Sequence, residues 1–183
     1  MEKYLTIIDI INGVKESLKN ENYIAALATA LTIPDKCGKI EYENSEDSKY
    51  RYVRWYNEWC WNGDSTINGV ELPDADVEFI YQLRCAILHD HSTELKYEKL
   101  ENKNKLDKFE LEISDFNGVF SVFASSILND GEEKSMRIRL VDLCEFICYC
   151  AEQYYKQNKH KFQNTNKIKI VDYRDLHKNM FQK

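Results

Sequence analysis

The sequence has few glycines and prolines and none of the common glycine-based catalytic signatures. Six glycines and two prolines are scattered through its 183 residues, and no GxGxxG, GxxxxGKS/T or GxSxG pattern occurs. These absences exclude a dinucleotide fingerprint, a P-loop and a nucleophile elbow. The chain also lacks a run of ~18 apolar residues, the length that a membrane-spanning helix needs. The sequence therefore predicts a soluble, cytoplasmic protein with no membrane partner.

Paired cysteine motifs are also absent. The six cysteines stand at positions 37, 60, 85, 144, 148 and 150, form no CxxC unit and follow no secretory signal, so we expect reduced thiols. Cys144, Cys148 and Cys150 suggest a zinc site, but at helical spacing the first two share one face while the third points elsewhere. We therefore expect buried structural thiols, no metal site and no cofactor.

Basic residues are too few for a general nucleic-acid coat. The formal net charge is −6, and nonspecific affinity for nucleic acids comes from neutralised phosphates. A local basic groove, or one assembled across a dimer, stays compatible with this charge. Because 43% of the residues are hydrophobic, the chain has enough apolar material for one core, and we expect residues 1–183 to form a single domain.

Helical periodicity dominates and predicts a mainly α (α+β) fold: a helical bundle with a small inserted antiparallel β-meander. Apolar stripes predict helices at residues 4–19, 23–32, 48–59, 73–89 and 142–155. Pro34 and Gly38 indicate a turn after the second helix, with Gly38 at positive φ. Alternating residues and an Asn-Asp-Gly turn place the meander at about 108–141. From about residue 160 to 183 we expect a polar tail with a short strand around Ile168 and Ile170.

One predicted helix places an arginine among apolar residues. At about 100° per residue, residues 73–92 form an apolar arc with Arg84 in its middle. The arc consists of Val77, Ile80, Tyr81, Leu83, Ile87 and Leu88. A guanidinium in apolar surroundings is costly unless a partner or water meets it. Two explanations stay open: a carboxylate such as Asp35 or Glu145 pairs with Arg84, or the arc opens into a cleft or a subunit interface.

The spacing from Arg84 to His89 resembles the R-x(4–6)-H motif of the HEPN superfamily (higher eukaryotes and prokaryotes nucleotide-binding domains). Longer strings extend the resemblance: ALATALTIPDKCGKIEY, RYVRWYNEW, YQLRCAILH and LVDLCEFICYCAEQYY. Together they resemble a group of bacterial HEPN-like proteins with a PD-x-CG turn, an R-x-x-x-W segment and an LRCALLH-type helix. The resemblance covers most of residues 22–158. It departs from the common catalytic pattern at Cys85, where a polar residue tends to follow the arginine.

The resemblance implies a metal-independent endoribonuclease whose motif helices meet in a homodimer and line one composite cleft. It also implies a role in defence or growth arrest, with RNA as substrate and an inhibitory protein as a further partner. The residue types suit this chemistry, because histidine can take a proton from a 2′-hydroxyl near neutrality and arginine binds phosphoryl oxygens. The alternative function is a non-catalytic HEPN-like module that binds a nucleotide, an RNA or a partner protein through the same cleft.

Arg84 and His89 are the predicted catalytic residues, and His91 is the reserve. On an ideal α-helix Arg84 and His89 diverge by about 140°, whereas Arg84 and His91 differ by only about 20°. We expect the helix to end near His89 and free its ring to turn toward Arg84. Otherwise His91 is the better companion.

Three further cations are predicted to contact substrate: Lys36, Arg51 and Arg54. The two arginines alternate along one helix with aromatic residues, which either hold unpaired bases or, more commonly, pack in the core. The aromatic residues are Tyr52, Trp55, Tyr56 and Trp59.

Overall fold

The protein is mainly helical, as the sequence predicts. The computed structural model describes residues 2–61, 66–67, 70–71, 75–90, 108–113, 124–130, 133–163 and 168–171. Its α-helices are α1 (Ile7–Lys19), α2 (Tyr23–Ala30), α3 (Ile33–Glu41), α4 (Ser48–Tyr56), α5 (Ala75–Cys85) and α6 (Leu140–Gln157). Short π-helical segments extend α4 (Asn57–Trp61) and α5 (Ala86–Asp90), and a 3-10 turn (Lys159–Phe162) follows α6.

Short strands make up the rest of the regular structure. They are β1 (Glu2–Leu5), β2 (Thr66–Ile67), β3 (Val70–Glu71), β4 (Lys108–Glu112), β5 (Ala124–Asp130), β6 (Glu133–Arg139) and β7 (Ile168–Val171). Strand β1 pairs with β7 and β2 pairs with β3, each time antiparallel, while β4, β5 and β6 form one sheet. The stretch predicted as a short strand near residue 168 is therefore confirmed.

Helix α6 lies at the centre of the core. It packs against α1, α2 and α3, and its fully buried side chains recur every three or four residues, as a core-facing helix requires. These side chains include Leu143, Ile147, Ala151 and Tyr154. In the parts of the chain that the structure describes, no helix, α6 included, combines the length and the apolar character needed to cross a membrane.

Helix α1 begins at Ile7 and not at the predicted residue 4, because Thr6 and Asp9 form a capping box. Thr6 Oγ1 accepts a hydrogen bond from the Asp9 backbone N–H at 3.3 Å, and Asp9 Oδ2 accepts one from the Thr6 backbone N–H at 2.9 Å. Such a box satisfies amide groups that the first helical turn leaves unpaired. The residues before Thr6 are then free to form β1, in which Leu5 lies opposite Ile168 of β7.

The inserted sheet is mixed, so the predicted antiparallel meander is wrong. Its strand order is β4-β6-β5, with β6 antiparallel to β5 but parallel to β4. A parallel pair cannot be joined by a tight turn and needs a longer connection. Phe109 of β4 and Ile138 of β6 are both buried and belong to the same core as the helices. The sheet is thus attached to the helical bundle through one face.

The predicted turn at residues 34–38 is also wrong, because these residues lie inside α3. Proline is tolerated in a first helical turn, where its missing N–H would have no partner, and Pro34 occupies that turn. Gly38 is helical and serves a close approach between helices. A Cβ at Gly38 would lie 2.6 Å from the backbone carbonyl oxygen of Arg51 in α4. Gly38 therefore sets how closely α4 packs on α3.

We expect Gly38→Ala to destabilise the protein by about 1–3 kcal/mol, because the added methyl group would force α3 and α4 apart. Chemical denaturation followed by circular dichroism measures this change. Gly13→Ala is the matched control: Gly13 is exposed in α1 and a Cβ there meets nothing within 4 Å. Its replacement should stabilise the protein by about 0.5–1 kcal/mol. Equal effects of the two substitutions would contradict the packing role of Gly38.

Candidate functional site

Arg84 lies half-buried where α4 and α5 meet, beside two tyrosine rings that contact each other. Its Cζ atom is 5.9 Å from the ring centroid of Tyr52 and 5.7 Å from that of Tyr81. The two rings contact each other edge to face with centroids 5.3 Å apart. A cation within about 6 Å of a ring centroid is attracted by the negative face of the ring. The guanidinium is therefore held by aromatic groups, which carry no counter-charge.

No carboxylate of the described residues neutralises Arg84. Asp35, one of the two acids considered as its partner, pairs with Arg51 at 3.8 Å, and Glu145, the other, is exposed on α6. The Nη1 atom of Arg84 donates a weak hydrogen bond to Cys85 Sγ at 3.9 Å. Within the described part of the chain, the ion-pair explanation of Arg84 therefore fails. The explanation that the arginine faces a cleft or an interface stands.

Several buried polar atoms of α3, α4 and α5 have no hydrogen-bond partner. In the described regions they include Asp35 Oδ1, Arg51 Nε, Tyr52 OH and Arg84 Nε. Each such atom costs about 1–3 kcal/mol. Burial raises the pKa of Tyr52 well above its ordinary value, so its hydroxyl stays neutral. Groups that a stable core would avoid are typical of functional sites, and they mark the junction of α3, α4 and α5 as the candidate site.

The helix that carries Arg84 continues as a π-helical segment through Asp90, one residue beyond His89, and the residues that follow lie outside the described part of the chain. In a π-helix the hydrogen bonds join residues five apart, and the turn is wider than the α-helical turn. Since the segment begins at Ala86, most of the path from Arg84 to His89 follows this wider turn. The two residues therefore lie closer to a common face than about 140°, the value for an ideal α-helix.

His89 is exposed, whereas Arg84 is half-buried. The imidazole thus stands at the surface of the protein, where a substrate or a second subunit can reach it. His91, the predicted reserve, lies outside the described residues. The predicted pair therefore consists of the half-buried guanidinium of Arg84 and the exposed imidazole of His89 on the same helix.

Two of the predicted substrate cations lie on the α3 side of the site. Arg51 is enclosed: it pairs with Asp35 and donates a hydrogen bond to the carbonyl oxygen of Ser45. Lys36 is half-buried on α3. Arg51 thus has a structural role at the contact of α3 and α4.

Arg54, the third predicted substrate cation, lies on the exposed face of α4 and is already neutralised. Its Nε donates to Glu58 Oε1 at 2.8 Å and its Nη1 donates to Tyr50 OH at 2.6 Å. Its Cζ lies 4.5 Å from the ring centroid of Tyr42 and 5.7 Å from that of Tyr50. Arg54 lines an open groove of about 570 Å³, and its ion pair leaves that groove without a free arginine.

The aromatic stripe of α4 belongs to the core. Tyr52, Trp55 and Tyr56 are fully buried, and bases stack only on rings that they can reach. The core interpretation is therefore the correct one. The predicted apolar arc already placed Tyr81 beside Arg84, whereas sequence reasoning missed Tyr52, which reaches Arg84 from another helix.

The cysteines form no metal site within the described residues. No three His, Cys, Asp or Glu side chains in those regions are grouped closely enough to bind an ion. All six cysteines are free thiols. Burial raises the pKa of Cys148 to about 12 and also raises that of Cys144. These thiols therefore stay protonated at neutral pH.

Comparisons of the chain with protein-family models, curated proteins and solved structures found no match. The resemblance to HEPN proteins therefore depends on the sequence strings alone. The functional argument depends on the local geometry: an arginine with no carboxylate partner among the described residues, buried polar atoms of α3, α4 and α5, and an exposed histidine on the helix that carries the arginine.

Native-state labelling should identify Cys85 as the most reactive thiol. Cys85 is half-buried beside Arg84, whereas the other five cysteines are buried. We expect iodoacetamide to add one label rapidly to the native protein, as measured by intact-protein mass spectrometry. The native Cys85→Ser variant should take up no label on the same time scale. In urea all six cysteines should react. Rapid labelling at two or more sites of the native protein would contradict this arrangement.

The ion pair of Arg54 and Glu58 should contribute stability in a pH-dependent way. Burial alone would raise the pKa of Glu58, but hydrogen bonds from Tyr42 and Arg54 outweigh it and lower the pKa below its ordinary 4.5. Since the folded-state pKa is lowered, the stabilisation is present above about pH 4.5 and is lost as the pH falls through the folded value.

Glu58→Gln should therefore reduce the free energy of unfolding at pH 7 by less than about 1 kcal/mol, because the pair is partly exposed. Near pH 3 the difference from the unsubstituted protein should shrink. Urea denaturation at both pH values measures it. Tyr42→Phe removes one hydrogen-bond donor to Glu58. In this background the stability difference caused by Glu58→Gln should change less between pH 7 and pH 3. A difference that stays constant with pH would show that Glu58 acts through packing.

Proposed function

We propose that this protein is a metal-independent endoribonuclease of the HEPN type that acts as a homodimer, with a role in defence or growth arrest. The observation that carries the proposal is the half-buried Arg84, which pairs with no carboxylate of the described residues and shares its helix with an exposed His89. The motif spacing and the sequence strings supply the family. The biological role comes from the resemblance alone.

Arg84 binds the scissile phosphate in this proposal. Cleavage of RNA by its own 2′-hydroxyl passes through a phosphorane that carries extra negative charge. An arginine keeps its charge at any physiological pH and binds two phosphoryl oxygens at once. A carboxylate at hydrogen-bonding distance would compete with the phosphate, and the described residues place none on Arg84.

His89 moves the proton. A histidine with a pKa near 6.5 can accept the proton of the 2′-hydroxyl and return one to the leaving 5′-oxygen. Because His89 is exposed and Arg84 is half-buried, RNA approaching from the surface meets the imidazole first and the guanidinium below it. In the proposed homodimer the two motif helices face each other, so each imidazole can also serve the partner's arginine. The products are a 2′,3′-cyclic phosphate and a 5′-hydroxyl.

A non-catalytic module that binds RNA or a nucleotide is the second candidate, and Cys85 favours it. The thiol follows Arg84 where catalytic relatives tend to carry a polar residue, and it occupies Nη1 of that arginine at 3.9 Å. A thiol is a poor hydrogen-bond partner for a phosphate. Phosphate binding without turnover is the consequence expected of such a site.

Incubation of labelled single-stranded RNA with the protein in EDTA distinguishes the two candidates. The unsubstituted protein should cleave, and Arg84→Ala and His89→Ala should each lose about 10²–10⁴-fold in rate. RNA with 2′-deoxyribose at the cleavage site should resist, and mass spectrometry should detect 2′,3′-cyclic phosphate ends. His91→Ala tests the reserve residue under the same conditions.

Arg54→Gln is the matched control, because it removes an arginine between two tyrosines that is already paired with Glu58. Its cleavage rate should stay within twofold of the unsubstituted protein. If the protein binds RNA in a way that depends on Arg84 but does not cleave it, the result would favour the non-catalytic module. Absence of both cleavage and RNA binding would refute the endoribonuclease and the RNA-binding form of the second candidate.

A further inference from the structure

The fold contains two arginines that are each flanked by two tyrosine rings. Arg54 lies 4.5 Å and 5.7 Å from the ring centroids of Tyr42 and Tyr50. Arg84 lies 5.9 Å and 5.7 Å from those of Tyr52 and Tyr81. The two sites therefore use the same groups to hold a guanidinium.

The two sites differ in charge and in burial. Arg54 is exposed, and its Nε donates to Glu58 at 2.8 Å. Arg84 is half-buried, its Nε is enclosed without a hydrogen-bond partner, and no carboxylate of the described residues pairs with it. Asp35, the acid at this junction, is held by Arg51 at 3.8 Å. The more desolvated arginine is thus the one whose charge is left intact.

We infer that Tyr52 and Tyr81 are positioning residues for Arg84, which hold its guanidinium toward the site and leave its charge available to an anion. This inference rests on the proposed function, since it assigns Arg84 to a phosphate of RNA. A ring face attracts a cation without cancelling its charge. A carboxylate would also position the arginine, but it would neutralise its charge as well. Aromatic contacts are therefore the suitable support for an arginine that must still bind phosphate.

The two rings have different tasks. Tyr52 is fully buried, and its edge contact with Tyr81 ties the pair to the core of the bundle. Tyr81 is half-buried. Replacement of Tyr52 would disturb the core, so Tyr81 is the residue at which the inference can be tested.

Three substitutions separate the effect of the Tyr81 ring from that of its hydroxyl, and the effect at Arg84 from that at Arg54. Tyr81→Leu removes the ring, Tyr81→Phe keeps the ring and removes the hydroxyl, and Tyr50→Leu removes a ring beside the neutralised Arg54. Thermal unfolding of each variant monitors folding. A combined Tyr81→Leu, Arg84→Ala variant completes a double-mutant cycle.

Binding of a single-stranded RNA with 2′-deoxyribose throughout its reactive positions is measured by fluorescence anisotropy, so that cleavage does not interfere. Tyr81→Leu should weaken binding about tenfold, whereas Tyr81→Phe and Tyr50→Leu should stay within twofold. In the Arg84→Ala background Tyr81→Leu should have no further effect, because the ring acts through Arg84. An equal loss in both backgrounds, or an equal loss in Tyr50→Leu, would overturn the inference.

The side-chain Nε–H resonance of Arg84 tests the positioning without a ligand. In protein labelled with ¹⁵N-arginine, assigned through its loss in Arg84→Lys, this signal should be shifted by the ring currents of the two tyrosines. Tyr81→Leu should move it toward the value of free arginine, Tyr81→Phe should preserve it, and Tyr50→Leu should move the signal of Arg54 alone. An Arg84 signal that is unchanged in Tyr81→Leu would overturn the inference.

The two measurements separate this inference from the proposed function. If the unsubstituted protein neither cleaves nor binds RNA, the proposed function fails, and the resonance of Arg84 still decides whether the rings hold the guanidinium. If RNA binding depends on Arg84 but is indifferent to Tyr81, the function survives and the positioning role is refuted.

Discussion

A guanidinium that is partly withdrawn from water and yet left without a counter-charge is the constraint on which the candidate site depends. In the described structure this arrangement is built from helix packing. Gly38 allows α4 to approach α3 so closely that a Cβ would lie 2.6 Å from the Arg51 carbonyl oxygen. That approach brings Arg51 to Asp35, and Tyr52, the next residue in α4, reaches across to α5. The contact of α3 with α4 thus pairs Asp35 with Arg51. The same contact places the ring of Tyr52 beside Arg84.

Much of the helical architecture was accessible from the sequence, because apolar periodicity reports which residues face a core. What failed depended on partners distant in the chain. Alternation in β4 and β6 predicts two strands, but it does not say that they pair in parallel with β6 between β4 and β5. Gly38 indicates a turn in sequence, since a glycine that serves close packing and a glycine at positive φ look alike there. The exception is local: Thr6 and Asp9 form a capping box that starts α1 at Ile7, whereas apolar periodicity alone predicts a start at residue 4.

The site was predictable in part for the same reason. Arg84 stood out because a charged residue in an apolar arc requires an explanation, and His89 followed from the spacing of the motif. The helical wheel assumed a constant 100° step and could not anticipate the π-helical segment that brings residues five apart closer to one face. Arg51 and Arg54 looked equivalent in sequence. Their difference arises from Asp35 on α3 and Glu58 on the next turn of α4, of which only the second is a local signal.

The overall charge of the protein accounts for this construction under the proposed function. A chain with a net charge of −6 repels RNA at long range, so affinity cannot come from many weak phosphate contacts. It has to come from a few contacts made strong by a low local dielectric, in which each charged hydrogen bond counts for more than in water. Burial supplies that dielectric but also makes an isolated cation unfavourable. Aromatic faces resolve the conflict, because they stabilise the half-buried guanidinium without neutralising its charge. In the proposed function, the ring contacts at Arg84 support an arginine whose charge is needed for phosphate, whereas the carboxylate of Glu58 neutralises Arg54, to which the proposal gives no such task.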